Sequence, residues 1–152
     1  MFRFKSLIRF LALVSATAFI AAGCSMMPWG SKTVAFEAKL TSADEVPPNA
    51  SPGTGHVDAW LNTKSMLLKW KATYSGTTGP VTAAHFHGPA APGSNAPPVV
   101  TFRGGLTSPS EGEATITSAQ ADDLLAGKWY VNVHTAANPG GELRGQVMQS
   151  KK

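Results

Sequence analysis

From Thr33 onward the chain alternates apolar and polar residues with a period of two, the pattern of strands whose two faces meet different surroundings. In TVAFEAKL (33–40), Val34, Phe36, Ala38 and Leu40 share one face, with Glu37 and Lys39 opposite. GHVDAWLN (55–62) sets Val57, Ala59 and Leu61 against His56, Asp58, Trp60 and Asn62. MLLKWKATY (66–74) sets Leu68, Trp70, Ala72 and Tyr74 against Lys69, Lys71 and Thr73. The short Asn62–Ser65 connection predicts that these last two segments form an antiparallel hairpin. VTAAHFHG (81–88), PVVTFRG (98–104), EATIT (113–117), KWYVNVHT (128–135) and ELRGQVMQ (142–149) continue the series. The Pro- and Gly-rich stretches TSADEVPPNASPG and PAAPGSNAPP read as loops, because proline cannot donate to a strand ladder. TSAQADDLLAG (117–127) carries the one helical signal, with Ser118 as N-cap, Leu124 and Leu125 on the apolar side and Gly127 as the stop. The fold class predicted is all-β: a sandwich or barrel of about eight antiparallel strands with one short helix.

Composition supports this. Charged residues are 14% of the 152, against about 25% in an average soluble domain, and Gly (15) and Pro (11) are abundant. A coiled coil or long-helix bundle is excluded. Four tryptophans and seven phenylalanines supply enough bulk for a core, which excludes a disordered chain. Trp60, Trp70 and Trp129 read as core or sheet-face residues rather than as a sugar-binding platform. With one cysteine there is no intramolecular disulfide.

The first ten residues carry Arg3, Lys5 and Arg9 with no acid, followed by the apolar run LALVSATAFIAAG and Cys24. That is the plan of a secretory signal peptide, too short for a comfortable membrane span of about 20 residues. Ala21-Ala22-Gly23-Cys24 resembles a bacterial lipobox, which implies cleavage before Cys24 and lipidation of its thiol. Residues 1–23 are then the signal peptide, 24–33 the lipidated cysteine and tether, 34–148 the folded domain and 149–152 a tail. Trp29 in the tether suits the level of lipid headgroups. The expected location is extracytoplasmic and membrane-anchored. In a diderm bacterium Ser25, in place of aspartate, points to the outer membrane, facing the periplasm or the cell surface. Cleavage leaves ten basic against nine acidic residues. No basic stripe remains to bind nucleic acid.

The candidate chemistry lies in the histidines. His85 and His87 are two apart on a predicted strand, so their rings point to the same side. His134 closes another strand, on a face shared with Tyr130 and Asn132. Three imidazoles on neighbouring strands make a candidate site for copper or zinc. Asn132, Glu142 and Arg144 are candidates to orient the rings from behind. Two other readings of the same spacing stay open. The histidines form a polar cluster partnered by Glu142, Arg103 or Arg144, or they line a pocket for a small molecule or peptide. His56 faces away from its strand's core side. Asp44, Glu45, Glu111 and Glu113 read as solvated loop or loop-edge carboxylates. No catalytic residue can be singled out: there is no Walker motif, no HExxH, and no Ser–His–Asp arrangement.

AHFHGPAAPGSNAPPVV (83–100) and GKWYVNVHTAANPGGELRGQV (127–147) resemble the CHRD domain, first named in chordin and also found in bacterial secreted proteins. FEAKLTSADEVPPNASPGTGHV (36–57) resembles that domain's opening. The resemblance covers residues 34–148. It implies an immunoglobulin-like barrel related to copper/zinc superoxide dismutases, in which a His-x-His strand pair and a later histidine hold copper; His85, His87 and His134 match that outline. The bridging and zinc-binding ligands, the disulfide pair and the electrostatic-loop arginine of those enzymes have no counterpart here. The reading is therefore a lipid-anchored binding module, possessing a copper or zinc site, rather than an enzyme. The alternatives are a metal-independent interaction or adhesion module, with loops 44–55 and 89–98 as its contact surface for a protein partner, and a dismutase-like redox enzyme.

Overall fold

A computed structural model describes residues 32–151. The expected signal peptide, Cys24 and Trp29 lie outside the described residues. Eight strands, β1 (Thr33–Thr41), β2 (Thr54–Asn62), β3 (Leu67–Ser75), β4 (Val81–His87), β5 (Pro98–Thr101), β6 (Ser110–Thr115), β7 (Trp129–Thr135) and β8 (Leu143–Gln149), form one sheet with a helix, α1 (Ser118–Leu125), between β6 and β7. The order across the sheet is β5-β4-β7-β8-β1-β2-β3-β6, every pair antiparallel. The sheet curls into a nearly closed barrel, with β5 and β6 at its edges. The β2–β3 hairpin runs in continuous register from Thr54↔Ser75 to Asn62↔Leu67.

The period-two pattern sorts side chains as expected. Phe36, Ala38, Leu40, Val57, Ala59, Leu61, Leu68, Trp70 and Ala72 are buried inside the barrel. Across from them Phe86 meets Trp70 edge-on at 5.4 Å, and Phe102 packs on both rings. Each such aromatic pair adds about 0.5–1.5 kcal/mol beyond its buried area. Gly112 lies opposite Trp70 in the β3–β6 register, where a Cβ would strike the indole. Trp129 is also buried, whereas Trp60 stands 40% exposed on the outer face of β2.

Several boundaries differ from the sequence expectation, β5 for instance ending at Thr101 rather than Gly104, and two of the differences have a visible cause. The helix cap is Thr117, one residue earlier than Ser118. The Thr117 hydroxyl accepts from the Gln120 N–H while the Gln120 side chain accepts from the Thr117 N–H, so two otherwise unpaired amides are satisfied reciprocally. β6 begins at Ser110, because Ser110 and Glu111 already pair with Ala72 and Lys71. Glu111 and Glu113 lie on the surface as read, bridging Lys71 and Lys69 across the strands.

β7 carries the information that matters for function. All its side chains but His134 are buried, on both faces. Trp129, Val131 and Val133 fill the barrel. Tyr130, Asn132 and His134 point outward yet are covered, because the segments 42–53, 88–97 and 136–142 fold back over the outer face of β4, β7 and β8.

A candidate metal centre on the outer face of β4, β7 and β8

His85 lies opposite Asn132, His87 opposite Tyr130, and His134 opposite Ala83 in the β4–β7 register. The geometry brings all three histidines together, with one ring nitrogen of each within 4.8 Å of the others. His85 Nδ1 and His134 Nε2 are 3.2 Å apart. Tetrahedral coordination at 2.0–2.1 Å requires nitrogens about 3.3 Å apart, so this pair already has the spacing of two ligands on one ion.

Backbone carbonyls fix two of the rings. His87 Nδ1 is 2.9 Å from the Ala96 oxygen, and His134 Nδ1 is 2.9 Å from the Pro139 oxygen. A carbonyl only accepts, so each Nδ1 carries the hydrogen and each Nε2 carries a lone pair. In metal proteins this is the usual way a ligating imidazole is oriented. His87 Nε2 is buried and makes no hydrogen bond. His87 is buried while His85 and His134 are half-buried, so the cluster is open to solvent on one side.

These residues fit a metal ion: neutral nitrogen donors, converging, with one lone pair unused. All three rings have proton affinities below the usual histidine value. Burial is the main cause for each. Repulsion from His134 and His87 lowers His85 further, while the Ala96 carbonyl and the Asn132 side chain partly restore His87 and the Pro139 carbonyl partly restores His134. The rings are therefore neutral at pH 7, the form that binds metal.

A family model, that of the CHRD domain, matches residues 36–147. The chain belongs to the CHRD domain family. No curated protein and no solved structure matches it. The matched span takes in the whole histidine cluster of the CHRD domain and the loops that cover it.

Arg144 is 2% exposed and lies 3.5 Å over the Tyr130 ring, which in turn stacks on His87 with 4.8 Å between centroids and 6° between planes. The Arg144 guanidinium also donates to Asn95 Oδ1 at 2.7 Å and to the Ser94 carbonyl at 2.5 Å. Tyr130 Oη meets both the N–H and the carbonyl of Ala96 at 3.2 Å. Arg144 and Tyr130 thus hold down the 88–97 loop, which supplies the carbonyl that aims His87. Asn95 Nδ2 donates to the Val46 carbonyl at 3.0 Å, tying this loop to the 42–53 loop.

Glu142 touches none of the histidines. Its carboxylate accepts from Ser51 Oγ (2.6 Å), the Thr78 N–H (2.7 Å), Thr78 Oγ1 (2.7 Å), Asn138 Nδ2 (3.1 Å) and Thr135 Oγ1. Burial pushes its pKa up, but the bonds from Ser51, Thr135 and Thr78 outweigh that and bring it to about 2. Its link to the cluster is indirect: Thr135 and Asn138 shape the turn that presents the Pro139 carbonyl to His134. Arg103 has no bond to the histidines, and His56 pairs with Asp58 at the surface.

Glu45 overturns its sequence reading. It is 5% exposed, and its Oε1 accepts from Asn132 Nδ2 at 3.0 Å. Burial raises its pKa, opposed by the Asn132 hydrogen bond, the Arg144 charge and a backbone bond at Val46. Its loop folds across β7, a contact between residues 87 apart in sequence that no local pattern announces.

Proposed function

We propose that this CHRD domain is an extracytoplasmic binding module that holds one copper or zinc ion through His85, His87 and His134, on a chain anchored by lipid at Cys24. One observation carries the reading: one ring nitrogen of each histidine lies within 4.8 Å of the others, while the Ala96 and Pro139 carbonyls hold the Nδ1–H groups of His87 and His134 and leave their Nε2 lone pairs for an ion. An all-imidazole donor set suits copper and zinc better than the harder magnesium or calcium.

In the metal-free cluster His85 Nδ1–H donates to His134 Nε2. Coordination requires the His85 hydrogen to sit on Nε2 instead, a tautomer change with no gain or loss of charge. The ion would supply positive charge and a site for one further ligand. The protein supplies the aim of the rings, through Ala96, Pro139, Tyr130 and Arg144.

The chain enters the barrel at Thr33, and the cluster lies beside the other end of β1, where Thr41 pairs with Arg144. Eight strand steps of roughly 3.3 Å separate the two ends, about 26 Å. With an anchor before Thr33, the histidines would lie toward the end of β1 remote from the point where the tether enters. Among the described residues, no helix is long and apolar enough to cross a membrane.

The test is titration of the purified protein with Cu(II) and Zn(II), followed by thermal melting, beside His85→Ala and the His85→Ala/His87→Ala double variant. A ligand bound only by the folded state at 100 times its Kd adds about 2.7 kcal/mol. A metal-dependent rise in Tm that both variants lose is expected. No rise in the wild type would refute the metal reading and favour an interaction module that meets a protein partner through the tied loops 44–55 and 89–98.

A further inference from the structure

The Asn132 amide is held at one end only. Its Nδ2 donates to Glu45 Oε1 at 3.0 Å and to the Gly140 carbonyl at 3.4 Å. The Gly140 oxygen can only accept, so turning the amide over would oppose two oxygens. Gly141 completes this holding site: its φ of +138° suits glycine, and a Cβ there would strike both Asn132 Nδ2 and Glu45 Oε1. Asn132 Oδ1 is consequently directed away from Glu45, and it is buried with no hydrogen-bond partner. Asn132 lies against His87, whose Nε2 is the other buried polar atom of this cluster without a hydrogen-bond partner. Asn132 is 4% exposed and His87 8%.

Two buried acceptors with no donor between them form an incomplete arrangement. An ion on His87 Nε2 satisfies one of them. It would leave Asn132 Oδ1 buried next to His87, able to accept and unable to donate. Resting on the metal reading, we propose that Asn132 Oδ1 accepts a hydrogen bond from an exchangeable protic ligand of that ion, water in the resting protein, and that Glu45 is the positioning residue that keeps the amide oxygen turned to it. The consequence is a ligand preference. Small molecules that carry a hydrogen on the coordinating atom are favoured. Anions that offer only lone pairs, such as azide or halide, meet the amide oxygen head-on.

The test uses the Cu(II)-loaded protein. Pulsed EPR in D₂O reads an exchangeable deuteron on a coordinated ligand, and the azide charge-transfer band reads anion affinity. Asn132→Leu removes the acceptor, and Glu45→Ala releases the amide to rotate. The wild type is expected to show the coordinated deuteron and to bind azide about tenfold more weakly than Asn132→Leu, equivalent to about 1.4 kcal/mol, with Glu45→Ala shifted the same way. A merely structural role for Glu45 would change Tm and leave azide affinity alone. Equal azide affinity in the wild type and either folded variant, with the copper spectrum intact, would overturn the proposal. So would the absence of a coordinated deuteron in the wild type, which needs no variant at all. Failure of the wild type to give any protein-bound copper spectrum would instead remove the metal reading itself, and this inference with it.

Discussion

Glu142→Gln tests how the loops beneath the histidines are held. In the wild type one fully buried carboxylate collects hydrogen bonds from Ser51, Thr78, Thr135 and Asn138, tying three loops together. Its pKa of about 2 in the folded protein, against an ordinary 4.5, means the fold prefers the charged form. The sign follows from linkage. A carboxyl whose folded pKa is depressed contributes stability that is complete above the unfolded value and is lost as pH falls through the folded one. A carboxyl pKa moved from 4.5 to about 2 corresponds to at most about 3.4 kcal/mol at pH 7, of which about 1.4 kcal/mol survives at pH 3. Glutamine has no charge to lose. It also turns an NH₂ toward at least one of the donors Thr78 N–H and Asn138 Nδ2, which cannot rotate into acceptors. Urea denaturation of both proteins at pH 7 and pH 3 should show Glu142→Gln less stable at neutrality, with the gap narrowing by about 2 kcal/mol at the acid end. A gap that does not change with pH would refute the claim that the carboxylate is held as an anion.

Three further outcomes follow from the same geometry. Gly141→Ala should cost at least about 2 kcal/mol, through a positive φ and a clash with Glu45 and Asn132, and should weaken copper binding beyond what its Tm loss explains. Arg144→Met should destabilise the domain by about 3 kcal/mol, since it strips hydrogen bonds from Asn95 and Ser94 in a buried setting; proteolysis within residues 88–97 should accelerate, and an unchanged cleavage rate would contradict the clamp. The metal-free protein should lose stability as pH falls below about 6.5, because the histidines bind protons less readily folded than unfolded; His85→Ala/His134→Ala should flatten that slope in thermal melts between pH 5 and 7.

The strands, the β2–β3 hairpin and the barrel core were legible because they rest on local alternation: Phe36, Ala38 and Leu40 declare an inward face by spacing alone. The histidine cluster was legible for the same reason, since His85 and His87 must share a side of β4 and Asn132 and His134 a side of β7. Sheet order was not, because the neighbours of β7 are set by long-range pairing. Glu45 was unreadable in physical terms. A carboxylate in a Pro-rich loop ordinarily meets water, and only the folding of that loop onto β7 gives it an amide partner. Glu142 and Arg144 were placed near the cluster by strand spacing, but spacing does not give contacts. Arg144 acts through Tyr130 and the 88–97 loop, and Glu142 through the turn that carries Pro139. The helix cap fell one residue from its reading because Thr117, unlike Ser118, has a glutamine three positions later.

X-ray absorption spectroscopy of the purified protein loaded with one equivalent of Zn(II), and separately of copper, tests the central claim most directly. Three imidazole nitrogens at about 2.0–2.1 Å from zinc, with the outer-ring scattering of histidine, are expected, and one fewer imidazole in His85→Ala. A first shell of oxygens, or a spectrum that His85→Ala and His134→Ala leave unchanged, would contradict it.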